Sequence, residues 1–121
     1  MEVVMPKKIQ IPFIHHDGVE LMDGYETACE GLAVLNDKEL KTWRLIHASS
    51  GFQLGRFRTR AIALRAAELH NYIEVDFTMS ADEFRNLPDA ESIAHCSVAA
   101  CTIAIAEDEV KQAEKKSESN D

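Results

Sequence analysis

Five histidines (His15, His16, His47, His70 and His95), three cysteines (Cys29, Cys96 and Cys101) and 21 acidic residues are the groups in this chain with chemistry to offer. A catalytic cysteine needs a base beside it, and such partners meet in space, not in sequence order, so no Cys–His pair is singled out. His15 and His16 are adjacent, and neighbours on an extended chain point to opposite sides; they read as a surface turn and not as a chelating pair. His95, Cys96 and Cys101 lie close together, but the cysteine spacing fits neither a zinc knuckle nor a redox pair. On a helix both cysteines read as small buried apolar residues. The carboxylates gather in the N-terminal third and the tail, with no pair in the apolar setting that tunes one as an acid. Glycine motifs that cradle phosphates are absent. The expectation is a non-enzyme with no catalytic residue, no metal ligand and no cofactor.

Two arrays of charge remain. Asp17, Glu20, Asp23, Glu26 and Glu30 recur every three or four residues and form a candidate acidic face for a protein partner. Lys41, Arg44, Arg56, Arg58, Arg60 and Arg65 lie within residues 41–65, where no Asp or Glu occurs, although the chain as a whole has a formal net charge of −8. This acidic protein therefore carries one basic module between acidic flanks.

The elements that must carry these arrays follow from periodicity. With 121 residues, 45% of them apolar, the chain suffices for one core and not for two. Residues 1–8 read as a flexible lead-in without the apolar centre of a signal peptide, 9–106 as a single domain, and 107–121 as an acidic, polar and disordered tail. Ile9–Ile14 alternates as a half-buried strand, which Pro12 marks as an edge. Residues 17–30 read either as the turn and return strand of a hairpin or as an amphipathic helix; a hairpin followed by a short helix over residues 25–30 reconciles both patterns. Leu32–Leu35, residues 41–48 and residues 52–58 are expected strands, with Ser49-Ser50-Gly51 as a hairpin loop and a β-bulge at Gly55 that turns Leu54 and Phe57 toward one core. Thr59 caps a helix whose buried stripe is Ile62, Ala66, Leu69 and Ile73. Ile73, Val75, Phe77 and Met79 alternate with polar residues as a further strand. Ser80 and Glu83 stand at capping-box spacing before a short helix that Pro88 ends. Asp89 opens a last helix with Ala94, Val98, Cys101 and Ile105 inside, fraying beyond Ala106. Trp43 is expected mostly buried against the helix of residues 60–72. The fold class is α+β: a small antiparallel sheet packed on helices, a βββα-like core with a C-terminal helix.

Leu54-Gly55, Phe57, Thr59, Ala63, Arg65 and Ala66 together resemble the end of the third strand and the start of the helix in AP2 domains and the arm-binding domains of phage-type integrases. The resemblance covers residues 42–72, with Trp43 where such domains carry an aromatic on the middle strand. It implies a three-stranded sheet on one helix, whose outer face enters the DNA major groove. Lys41, Arg44, Gln53, Arg56, Arg58, Arg60 and Arg65 are then the candidate nucleic-acid contacts, although here the arginines gather late, at the strand end and helix entry.

Two functional expectations result. The first is a non-enzymatic acidic protein-binding module, an inhibitor or regulator of a nucleic-acid-handling protein of the kind encoded by phage or other mobile elements, with a basic protein surface as its partner. The second is a small DNA-binding regulator using the basic module. No segment approaches the ~20 apolar residues that span a bilayer. Three cysteines cannot all pair within one chain, and a cytoplasmic setting with reduced thiols is expected.

Overall fold

The structure, a computed structural model, describes residues 8–15 and 17–119; the side chains of residues 12–15, 19 and 117–119 fall outside that description. Five strands, β1 (Lys8–His15), β2 (Gly18–Glu26), β3 (Leu32–Asp37), β4 (Thr42–His47) and β5 (Gln53–Phe57), form one antiparallel sheet in sequence order. Helix α1 (Arg60–Leu69) runs into a 3-10 turn at His70–Tyr72, and α2 (Ala81–Arg85) and α3 (Ala90–Ser119) follow. The chain is thus a small α+β fold, with β1 at the sheet edge as Pro12 implies.

The sheet separates two cores because β3 is apolar on both faces, a pattern met where a strand is covered on both sides. Leu32 and Val34 join Leu45, Phe57, Ile62, Ala63, Ala66, Ala67, Cys101 and Ala104 in the main core under α1 and α3. Ala33 and Leu35 join Ile46 and Ile11 in a smaller core on the opposite face, with Ile9 and Met22 packed against it. The β1–β2 hairpin therefore folds across the sheet instead of merely extending it. Gly24 makes this possible: a Cβ there would lie 2.7 Å from Ile11 Cδ1, 2.8 Å from Leu35 Cδ2 and 2.9 Å from the Val34 carbonyl.

Local signals behave as their chemistry dictates. The register between β4 and β5 slips between Leu45 and Ile46, so Leu54 and Phe57 both serve the main core, as the bulge requires. Thr59 Oγ1 accepts a hydrogen bond from the Ile62 amide, and Ser80 Oγ accepts one from the Glu83 amide. Gly51 takes φ +75° in the β4–β5 loop.

Four expectations are corrected. No helix forms over residues 25–30: β2 runs to Glu26, since pairing with β1 and β3 satisfies its backbone. The segment 73–79 is no strand; Phe77 is buried and its neighbours alternate, but Asp76 Oδ1 accepts bonds from the Thr78 amide and hydroxyl and turns the chain. Helix α3 does not fray at Ala106 but continues to Ser119, and its inward residues are Ser97, Ala100, Cys101 and Ala104, whereas Ala94, Val98, Ile105 and Cys96, the last expected to be buried like Cys101, are exposed. Trp43 is half-buried, because it stands at the rim of the main core beside Tyr25.

Candidate protein-interaction groove

Strand β2 pairs with β1 along eight positions but with β3 at three, Gly24 to Glu26 against Leu35 to Ala33. Upstream of Gly24 the ladder with β3 stops, and in this register Asp37, the last residue of β3, stands level with Met22. A groove of about 640 Å³ is bounded by Leu21, Met22 and Tyr25 on one side and by Asn36, Trp43 and the β3–β4 turn on the other. Open backbone edges are templates for an added strand.

Aromatic side chains form its floor. The Tyr25 and Trp43 rings lie 6.1 Å apart, and the Arg60 guanidinium, reaching from the first turn of α1, stands 5.4 Å from the Tyr25 ring centroid and 5.8 Å from that of Trp43. This cation lies within cation–π range of both rings. Around them the groove carries Glu20, Asp23, Asp37 and Glu39 against Lys8, Lys38 and Arg44. Lys8 Nζ lies 3.6 Å from Asp23 Oδ2, and Asp37 accepts from Arg56 at 2.9 Å and from the Leu40 amide at 3.1 Å. The Arg56 bond is the main reason the Asp37 carboxyl is held below its ordinary pKa.

The five acids of the expected partner face do not share one surface. A strand alternates its side chains, so Glu20 and Glu26 lie on one face of β2 and Asp23 on the other. Asp17 is in the β1–β2 turn. Glu20 and Asp23 reach the groove, whereas Glu26 and Glu30 line a second hollow of about 340 Å³ with Ile9, Thr27, Cys29 and Gly31. Their three-to-four spacing marked one face only for a helix.

The basic module is dispersed as well. Arg44 Nε donates to Gln53 Oε1 at 2.7 Å, and Arg56 donates to Asp37 and to Thr42 Oγ1, so Arg44, Gln53 and Arg56 share the sheet face opposite α1. Arg58 pairs with Asp108, and Arg65 pairs with Glu107 at 2.8 Å and Glu68 at 2.6 Å. The Glu107 bond chiefly raises the Arg65 pKa and, reciprocally, lowers that of Glu107. Arg60 is over the groove aromatics, and Lys41 occupies a turn with φ 55°. Sequence reasoning missed the last two arrangements; the adjacency of Tyr25 and Trp43 depends on the β2–β3–β4 register, which no local pattern encodes.

The buried histidines have both ring nitrogens hydrogen-bonded within the fold. His47 Nε2 donates to the Phe77 carbonyl at 2.9 Å and Nδ1 accepts from Ser50 Oγ at 2.7 Å, while its ring stacks on Phe84 at 4.1 Å. His70 Nδ1 donates to the Ala66 carbonyl at 2.6 Å and Nε2 accepts from Ser97 Oγ at 2.7 Å. Burial lowers both pKa values. Burial likewise pushes the Cys29 and Cys101 thiols up to about 11, the opposite of an activated nucleophile. His15 keeps its place at the end of β1, while His16 lies outside the described residues. Among the described residues no three metal-ligating side chains come together, and no helix is long and apolar enough to cross a membrane. Compared with family models, curated proteins and solved structures, the chain matches none.

Proposed function

We propose that the protein is a non-enzymatic binding module that takes an extended, basic segment of another protein along β2 in this groove. The observation that carries this reading is the coincidence of a β2–β3 pairing confined to Gly24–Glu26 with the Tyr25–Trp43 floor and four carboxylates in one groove. Strand addition supplies main-chain hydrogen bonds, and the aromatic rings and carboxylates supply selectivity for alternating apolar and basic side chains. The net charge of −8 steers a basic partner from a distance. Within this proposal the partner is a basic nucleic-acid-handling protein, which the module inhibits or regulates in a reducing, cytoplasmic setting, in the manner of a phage or mobile-element accessory protein.

Trp43 is the single tryptophan, so the groove reports on itself. A peptide of alternating Lys/Arg and β-branched residues should shift Trp43 emission saturably, and the combined change Glu20→Gln, Asp23→Asn and Glu39→Gln should weaken that binding at least ~10-fold, three charge contacts of ~0.5 kcal/mol each. Absence of any emission change up to millimolar peptide rejects the reading. A second reading, duplex DNA on the outer sheet face, has one observation in its favour: Arg44, Gln53 and Arg56 share that face. Against it stand the carboxylate on Arg56 and the β1–β2 hairpin packed over the neighbouring part of the same face.

A further inference from the structure

From Ser92 to Ala106 the chain has no Asp, Glu, Lys or Arg, so four turns of α3 are uncharged all round apart from His95. A surface helix ordinarily carries charged and polar residues on its outer face. Here one side packs on α1 and β5 through Ser97, Ala100, Cys101 and Ala104, and the remainder faces outward: Val98 is 63% exposed, Ile103 48% and Val110 58%. Within that outward surface Cys96, Ala99, Ile103, Ala106, Val110 and Ala113 follow one another at three, four, three, four and three residues, and all are exposed. This is the spacing of a coiled-coil seam.

We propose that this seam pairs with the same seam of a second copy, α3 against α3 in antiparallel orientation, as a weak and reversible dimer. Size complementarity argues for a second copy as the occupant. The larger residues Cys96, Ile103 and Val110 occupy one heptad position and Ala99, Ala106 and Ala113 the other. An antiparallel two-fold pair sets Cys96 against Ala113, Val110 against Ala99 and Ile103 against Ala106, a larger residue meeting an alanine at every layer. Charge selects the same orientation. Parallel helices would bring Glu109 of one copy beside Glu114 of the other, a like-charge contact in each flank. Antiparallel helices instead lay the acidic run Glu107-Asp108-Glu109 along the uncharged stretch of the other copy, and bring Glu91 toward Lys116. The opposed macrodipoles favour this arrangement too. The seam is ~26 Å long at 1.5 Å per residue. One helix pair of that length buries less than the ~1,200 Å² of a standard stable interface, which sets the association in the weak class.

Sedimentation of the full chain from micromolar to millimolar concentration should show mass rising from 13.5 kDa toward that of two copies. Ile103→Glu, at an exposed position, should raise the dissociation constant at least tenfold with an unchanged melting temperature. Val98→Glu, on the helix flank away from the seam, should leave it within about twofold. Orientation is read by oxidation: Ala113→Cys should cross-link rapidly to Cys96 of the other copy, whereas the unaltered chain should not form a Cys96–Cys96 dimer at a comparable rate. A chain that stays monomeric throughout leaves the seam to some other partner and overturns the proposal, as does indifference to Ile103→Glu. Rapid Cys96–Cys96 linkage overturns the antiparallel arrangement.

Discussion

His47 and His70 tie the irregular segment after α1 and the helix α3 to the rest of the fold, and both do so as neutral rings. Each uses one ring nitrogen as donor to a carbonyl and the other as acceptor from a serine hydroxyl, so protonation removes the acceptor and charges a buried ring. Their folded pKa values lie below the ordinary 6.5. The unfolded chain therefore binds protons first as pH falls, and stability is full above pH 6.5 and lost below it, at up to ~1.4 kcal/mol per pH unit for each ring. Urea unfolding between neutral pH and pH ~5 measures this slope, and a flat profile would show that neither ring is held neutral. Gly31 is the other residue on which this region depends. Its φ is +91°, and a Cβ would stand 2.0 Å from the Phe77 carbonyl oxygen, the same oxygen that accepts from His47. Gly31→Ala should cost roughly 2–5 kcal/mol, combining left-handed strain with a backbone collision. An unshifted unfolding midpoint would mean that the 73–79 segment moves away at little cost.

Among the elements, α3 and the β1–β2 hairpin are each held by features outside their own pattern. Glu107 and Asp108 bind Arg65 and Arg58, while the apolar contacts of α3 end at Ala104. A chain ending at Ala106 should still melt cooperatively, with its midpoint lowered by a few degrees at neutral pH. Because the Glu107 pKa is lowered in the folded state, this contribution exists above the ordinary carboxylate range and fades as pH falls through it. The two melting curves should then converge in acid, and loss of cooperativity on truncation would assign the distal helix a packing role. For the hairpin, Gly24→Val should cost ~1–3 kcal/mol, since the displaced Ile11 and Leu35 ends can adjust but the Val34 carbonyl cannot. Amide exchange of β1 should accelerate while that of β4 stays slow; uniform acceleration would make the hairpin one cooperative unit with the sheet.

For the whole molecule, charge is the property that discriminates between partners. The chain's field repels phosphate, and Arg56, Arg58 and Arg65 already have carboxylate partners. Duplex DNA titrated at low salt should therefore bind weakly, with a log–log salt slope no steeper than about −2 if Lys41 and Arg44 each reach a phosphate, and negligibly at physiological ionic strength. Tight, sequence-selective binding there would replace the peptide-groove reading with a nucleic-acid one.

The sequence by itself determined what depends on neighbours a few residues apart. The bulge beside Gly55, the Thr59 and Ser80 caps, the Gly51 loop and the inward placing of Ile62 and Ala66 on α1 follow from backbone chemistry and short periodicities, and together they dictate an α+β fold; Ile73, expected on the same stripe, lies beyond the end of α1. Tertiary structure decided the rest. A three-to-four spacing of acids over residues 17–30 looked helical, but β1 and β3 offered that segment hydrogen-bond partners and made it a strand, dividing the acids between two faces. The alternation of residues 73–79 looked like a strand, yet the segment has no partner strand and is held by the His47 and Asp76 bonds instead. The inward face of α3 could not be read either, since a helix uncharged over four turns has no polar side to exclude; contact with α1 and the Arg58 and Arg65 pairs selected Ser97, Cys101 and Ala104. The groove was the least legible feature of all, because it lies between β2 and the β3–β4 turn, which are brought together by the β2–β3 and β3–β4 registers and by no local pattern.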